Sequence, residues 1–199
     1  MPPTDKIKKR CGWVNGHPLM TEYHDNEWGV PVHDDKKLFE FLILEGAQAG
    51  LSWQTILNKR ENYRKALSGF DPSRIARYGD QDVKRLLGNA GIVRNRLKIA
   101  ATVQNAKKFL DIQKEFGSFD SYIWQFVAHK PIQNKLKSFK NIQATTKESD
   151  AMSKDLLKRG FKFVGSTICY AFMQAVGMVN DHQIDCFRYQ RTREFGKGS

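Results

Sequence analysis

Four residues of types that bind zinc stand near the two ends of this 199-residue chain: Cys11, His24, His182 and Cys186. Two thiolates and two imidazoles complete a zinc tetrahedron with no open position, so such a set would staple a fold rather than perform chemistry. His182 and Cys186 lie four residues apart, which puts both on one face of a helical turn. Cys11 and His24 are thirteen apart, compatible with a loop between ligands, and the same residue types also fall near chain ends without a metal. Asp181 and Asp185, beside two of them, could serve as outer acceptors or be plain solvated carboxylates.

A second group could carry the chemistry. Glu45 continues an apolar series begun by Leu38, Phe41 and Leu42, so a carboxylate falls on a buried stripe. Its burial costs several kcal/mol unless protein groups, a ligand or a proton compensates it. Trp13, Tyr23, Trp28 and Trp53 lie in the same N-terminal tract. Aromatics of this kind build cores, and they also stack on an extruded base or attract a cationic ring. Gly50-Leu51 forms a turn able to push an apolar wedge between bases.

The stretch Leu86 to Ile99 reads as two helical patterns joined at Gly91, a helix-hairpin-helix or an ordinary glycine-capped turn. As a hairpin it would present backbone N–H groups and a helix N-terminus to a phosphate, with Arg94, Arg96 and Lys98 adding charge.

The elements that must position these residues are helical. Asp34 or Asp35 can cap the helix carrying Glu45, Ser52 the next one with Ile56, Tyr63 and Leu67 inward, and Asp71-Pro72 opens a third. Gly69 and Gly79 punctuate them. Ile99, Val103, Ala106 and Leu110 share a face, Ser149 caps a segment ending at Gly160, and Gly177 closes one bearing Ile168, Phe172, Met173 and Val176. Phe161 to Val164 is the longest alternating stretch, and the polar segment from Pro131 to Ser149 reads as a surface loop.

Composition narrows the partners. Thirty-three Lys and Arg against 21 Asp and Glu give a net charge of +12, suited to a polyanion. Three widely spaced cysteines do not make a disulfide framework and fit a reducing compartment. No stretch approaches the ~20 apolar residues of a membrane span, and the N-terminus lacks a secretory signal's apolar middle. These features predict a cytoplasmic protein without a membrane partner.

Cys11-Gly12-Trp13, Tyr23 to Gly29, Leu44 to Trp53, Gly160 to Gly165 and Val179 to His182 together resemble the 3-methyladenine DNA glycosylase I family, and the similarity runs from Cys11 to Cys186. The resemblance implies an all-α fold of the helix-hairpin-helix glycosylase superfamily, with structural zinc on Cys11, His24, His182 and Cys186 tethering the terminal regions. It implies a base pocket of Glu45, Tyr23, Trp28, Trp53 and Trp13, and DNA contacts from Gly50, Leu51, Gly91, Arg94 and Lys98. Asp111 stands twenty residues beyond Gly91, where many superfamily members keep a catalytic aspartate. The resemblance implies that this branch does without one, so Asp111 reads as a surface carboxylate.

The expected organisation is a flexible extension over 1–10, one domain of two interwoven lobes over 11–186, and a basic tail over 187–199. The expected protein is a bacterial, DNA-associated monomer without nucleotide cofactor. It excises N3-alkylated adenine from double-stranded DNA and leaves an abasic site. A competing reading is a non-catalytic, zinc-stapled DNA-binding module using the hairpin and basic faces alone; it leaves Glu45 among aromatics unaccounted for. A zinc hydrolase would need an open coordination position.

Overall fold

The computed structural model describes residues 8–195, and its order is helical almost throughout. Helix α1 (Pro18–Asn26) opens with proline at its first position, where a missing N–H costs nothing. Helices α2 (Asp35–Gln48), α3 (Trp53–Ala66) and α4 (Pro72–Ile75) start as expected, with Asp34, Ser52 and Asp71 accepting first-turn N–H groups. Helices α5 (Asp80–Gly88) and α6 (Arg96–Phe116) form the hairpin, followed by α7 (Phe119–Ile123), α8 (Lys147–Lys158), α9 (Ser166–Ala175) and α10 (Phe187–Phe195).

Helix α2 is the axis of the molecule. Every residue from Leu38 to Ala47 is buried, and the helix packs against α3, α6, α7 and α9. A helix covered on all sides has no solvent face, so its two central glutamates, Glu40 and Glu45, must each find a solution inside the protein. Among the described residues no helix is long and apolar enough to cross a membrane.

Several local expectations shift. Thr146, not Ser149, caps α8; Ser149 lies in its first turn and its hydroxyl accepts from Thr146 N at 2.8 Å, completing a reciprocal cap. The buried face of α6 comprises Ile99, Thr102, Asn105, Ala106, Phe109 and Ile112, with Val103 and Leu110 only half-buried. Thr102 and Asn105 turn inward because each has an acceptor there: Thr102 Oγ1 donates to Lys98 O, and Asn105 exchanges two bonds with the Lys162 backbone.

That exchange also explains why Phe161 to Val164 is not a strand. Its backbone is satisfied by side chains, including Ser153 Oγ donating to Val164 O at 2.7 Å, and needs no partner strand. The strands that form are two residues each, β1 (Ile132–Gln133) parallel to β2 (Val179–Asn180). The first lies in the segment read as a loop. Gly177 ends α9 as expected, with Met178 N bonded to Met173 O and Gly177 N to Gln174 O.

The two chain ends are less loose than expected. Arg10 holds Asp25 through Nε and Nη2, Lys9 pairs with Asp185 at 2.5 Å, and Phe187 N donates to Lys9 O. The basic stretch after Cys186 is helix α10, not a tail: Tyr189 and Thr192 are buried, and Asn180 Nδ2 donates to Tyr189 O. Residues 1–7 and 196–199 of the expected extension and tail lie outside the described residues.

Candidate active site

Cys11, from the N-terminal segment, and His24, on α1, meet His182 and Cys186, on the turn between β2 and α10. All four are buried and their ligand atoms lie within 4.8 Å of one another. The nearest approaches are 3.5 Å from Cys11 Sγ to His182 Nδ1, and 3.4 and 3.7 Å from Cys186 Sγ to His24 Nε2 and His182 Nδ1. Zinc bond lengths of ~2.0–2.3 Å set tetrahedral ligands ~3.3–3.8 Å apart, so this spacing and donor set fit such an ion.

Each imidazole is oriented by its second nitrogen. His24 Nδ1 bonds Asp25 Oδ1 at 2.8 Å, and Asp25 is itself clamped by Arg10. His182 Nε2 bonds Trp28 O at 3.0 Å. The orienting acceptors are therefore Asp25 and a main-chain carbonyl. Asp181 instead accepts from Asn134, Tyr170 and Gln174, and Asp185 pairs with Lys9. A hydrogen bond from Cys11, and then those of the imidazoles, lower the Cys186 thiol against the opposing effect of burial, and burial lowers His182, favouring a thiolate and a neutral imidazole as donors.

The cluster also braces an aromatic chamber. Trp28 stacks edge-on against His182 with ring centroids 4.7 Å apart, and Trp13 lies 5.3 Å from His24 and 5.0 Å from Trp28. Gly29, at φ +76°, lets the chain pass His182; a Cβ there would sit 3.1 Å from Nε2.

Trp13, Tyr23, Trp28, Glu45 and Trp53 all line one cavity of about 270 Å3. Tyr23 and Trp53 pack with ring centroids 5.3 Å apart and planes tilted by 49°. Glu45 is 4% exposed, and burial alone pushes its carboxyl up to about 8. Burial, then the nearby Glu45, pushes Tyr23 well above the ordinary phenol range, keeping its hydroxyl protonated. The indole Nε1 atoms of Trp13 and Trp53 are buried without an acceptor among the described residues. An aromatic chamber with a partnerless carboxyl and two unused N–H donors is chemically incomplete, because each unpaired buried donor costs ~1–3 kcal/mol. A flat, polar-edged, cationic ring would complete it.

The wall also includes residues that sequence reasoning missed: Met20, Gln48, Phe139, Ile142, Ala171 and Gln174. Phe139 and Ile142 were the signal available, two of the four large apolar residues, with Ile132 and Leu136, in a mostly polar segment.

A second hollow of about 200 Å3 runs from Glu45 and Gln48 past Gly50 and Leu51, toward Ile168 on α9. Gly50 takes φ +77° with open space around it, and Leu51 is 40% exposed. The turn thus projects beside the mouth of the chamber.

At the hairpin, the expected contacts divide. Arg94 and Arg96 are exposed, and the first-turn N–H groups of Arg96 and Leu97 have no intrahelical acceptor. Gly91 N is turned onto Asn89 Oδ1 at 2.8 Å, so it is not directed outward. Lys98 departs furthest from a free phosphate contact: its ammonium donates to Ala47 O at 2.8 Å and Ala49 O at 2.6 Å, because the α2 C-terminus offers unpaired carbonyls within its reach. Asp111 is a surface carboxylate, paired with Lys108 at 2.9 Å.

The sequence matches the methyladenine glycosylase family over residues 13–189. It is 52% identical over 181 residues to DNA-3-methyladenine glycosylase 1 of Escherichia coli (strain K12), covering 91% of this chain and 97% of that protein. A crystal structure of a 3-methyladenine DNA glycosylase I superposes with a TM-score of 0.88 at 54% identity, covering 90% of this chain and 98% of the other. Another, of a tyrosine-to-phenylalanine variant in complex with 3-methyladenine, gives 0.87 at 36% identity over 89% and 96% of the two chains. Fold, coverage and identity agree that this chain belongs to the methyladenine glycosylase family.

Proposed function

We propose that this protein excises N3-methylated adenine from double-stranded DNA as a monofunctional glycosylase, releasing the free base and leaving an abasic site. The observation that carries the reading is the buried Glu45 carboxyl, unpaired inside an aromatic chamber with two unused indole N–H donors. Methylation at N3 makes adenine a cation and a good leaving group, so the enzyme's main tasks are extrusion and recognition.

The flipped base enters the chamber beside Tyr23 and Trp53, whose rings offer stacking on the order of 1–3 kcal/mol per base and favour positive charge. With the chamber empty, Glu45 holds its proton at neutral pH. An entering cation favours the carboxylate, which then accepts from the exocyclic amine. Neutral adenine gives no such compensation, so the carboxyl keeps its proton and the charged hydrogen bond is not formed. Trp13 and Trp53 N–H groups offer donors to the remaining ring edge. Water then attacks the sugar carbon as the neutral base departs.

Leu51 takes the place the base vacates in the stack, and the N-terminus of α6 with Arg94 holds the DNA backbone. No lysine lines the chamber among the described residues, so no amine nucleophile is available for strand cleavage. Cys11, His24, His182 and Cys186 would hold zinc as a closed set, which supplies no reaction chemistry; it ties the chain ends and steadies Trp13 and Trp28. Metal analysis should find one zinc per chain, and Cys186→Ser should lower both zinc content and Tm without altering base preference. An unchanged Tm would contradict the staple.

Methylated duplex DNA tests the activity. The expected products are free 3-methyladenine and an unbroken strand containing an abasic site. A folded protein that binds DNA yet releases no base would be a non-catalytic module, and strand scission with a borohydride-trapped adduct would contradict a monofunctional enzyme.

A further inference from the structure

We propose that Lys98 is a positioning residue for the Leu51 wedge, acting through the backbone of the turn that carries it rather than through DNA. The inference rests on the reading of Leu51 as the residue inserted into the base stack.

Helix α2 ends at Gln48, and its last carbonyls lack helical partners. Gln48 O accepts from Leu51 N at 2.6 Å, Ala49 has φ −42° and ψ 116°, and Gly50 has φ +77°. These are the dihedrals of a type II turn. A type II turn differs from type I by a flip of its middle peptide, here Ala49–Gly50, so whatever binds Ala49 O selects one of the two forms. Lys98 Nζ donates to that oxygen at 2.6 Å, and to Ala47 O at 2.8 Å. One ammonium therefore fixes both the final turn of α2 and the flipped peptide beyond it.

The placement is complementary in charge, because an ammonium lies at the negative end of the α2 dipole. Its backbone position matters equally. Lys98 sits in the first turn of α6, where Asn95 Oδ1 accepts from its N–H at 3.1 Å, beside the open N–H groups of Arg96 and Leu97. The helix end that meets the DNA backbone and the turn that enters the stack are thus joined by one side chain. Among the described residues no atom beyond the neighbouring residues lies within 4 Å of where a Gly50 Cβ would project, so the turn has no brace on that side.

A double-mutant cycle tests this, with single-turnover excision from methylated duplex DNA measured for Lys98→Met, Leu51→Ala and the double variant. Lys98→Met should slow excision by about 10-fold, and the double variant should be no slower than Leu51→Ala alone, because the two act through one element. Binding of free 3-methyladenine should stay within about twofold, since the chamber needs no wedge. Multiplicative losses, or a salt slope reduced by about one phosphate contact, would make Lys98 a DNA ligand and overturn the proposal. Leu51→Ala without effect would overturn the wedge reading and the inference with it. Leu51→Ala impaired beside a Lys98→Met at wild-type rate would overturn the Lys98 inference alone. Lys98→Gln, which keeps a donor but cannot span both carbonyls, carries the same expectations where Lys98→Met does not fold.

Discussion

Two glutamates five residues apart on α2 are both buried, and they have opposite surroundings. Glu40 Oε1 accepts from Arg60 Nε at 2.6 Å and Arg64 Nη2 at 2.7 Å, and Arg60 also grips both oxygens of Glu27 at 2.9 Å. Glu45 faces rings and an empty chamber, and burial is the sole cause of its raised pKa. A buried carboxylate surrounded by cations is complete within the fold. One left without a partner implies that its partner arrives from outside. The comparison separates the side of α2 that holds the protein together from the side that works.

The largest effect should follow from breaking the complete side. Arg60→Met leaves Glu40 and Glu27 without their shared cation and should destabilise the protein by about 3–5 kcal/mol in denaturant unfolding. Excision per folded molecule should survive. A loss of activity at unchanged stability would show that the network belongs to the working side.

On that side the order reverses. Glu45→Ala should reduce release of 3-methyladenine from methylated DNA by about 100-fold, the loss expected for a charged hydrogen bond, ~2.7 kcal/mol. Unfolding should show little cost at pH 7. Equal losses of stability would place Glu45 in the structural class with Glu40.

The pH dependence sharpens the distinction. The folded-state pKa of Glu45, about 8, lies above the ordinary value of 4.5, so the folded protein keeps a proton that the unfolded chain has lost. This contribution is full below the unfolded value and fades as pH rises through 8. Across that window stability should fall by at most about 1.4 kcal/mol per pH unit, measured by unfolding of the ligand-free protein. The slope should disappear in Glu45→Gln.

The smallest effect tests the brace behind the chamber. Gly29→Ala must place a Cβ at φ +76° against His182 and should cost about 1–2 kcal/mol, with weaker metal retention. A Tm unchanged by the substitution would show that the close passage is not under strain.

How far the sequence revealed this division depends on the range of each interaction. Asp34, Ser52 and Asp71 were readable as caps because a cap is a contact over two or three residues. Glu45 was readable because a carboxylate interrupts a helical apolar series, and Trp13, Tyr23, Trp28 and Trp53 because they share its tract. Glu40 was not, because its partners Arg60 and Arg64 are on another helix and their charges look like any solvated pair. The carbonyl partners of Lys98 were hidden for the same reason: its type and position suited a phosphate, and only folding brings it to Ala47 and Ala49. Helix α10 was taken for a tail because its nine residues, three of them arginine, carry almost no apolar pattern, while Tyr189 and Thr192 find cover only in the fold.

The most direct measurement compares Glu45→Gln with Glu40→Gln, scoring each for 3-methyladenine release from methylated duplex DNA and for unfolding free energy at pH 7. Glu45→Gln should lose release and keep its stability, and Glu40→Gln should lose stability and keep release per folded molecule. Release retained by Glu45→Gln, or both variants failing in the same way, would contradict the assignment of Glu45 to the damaged base.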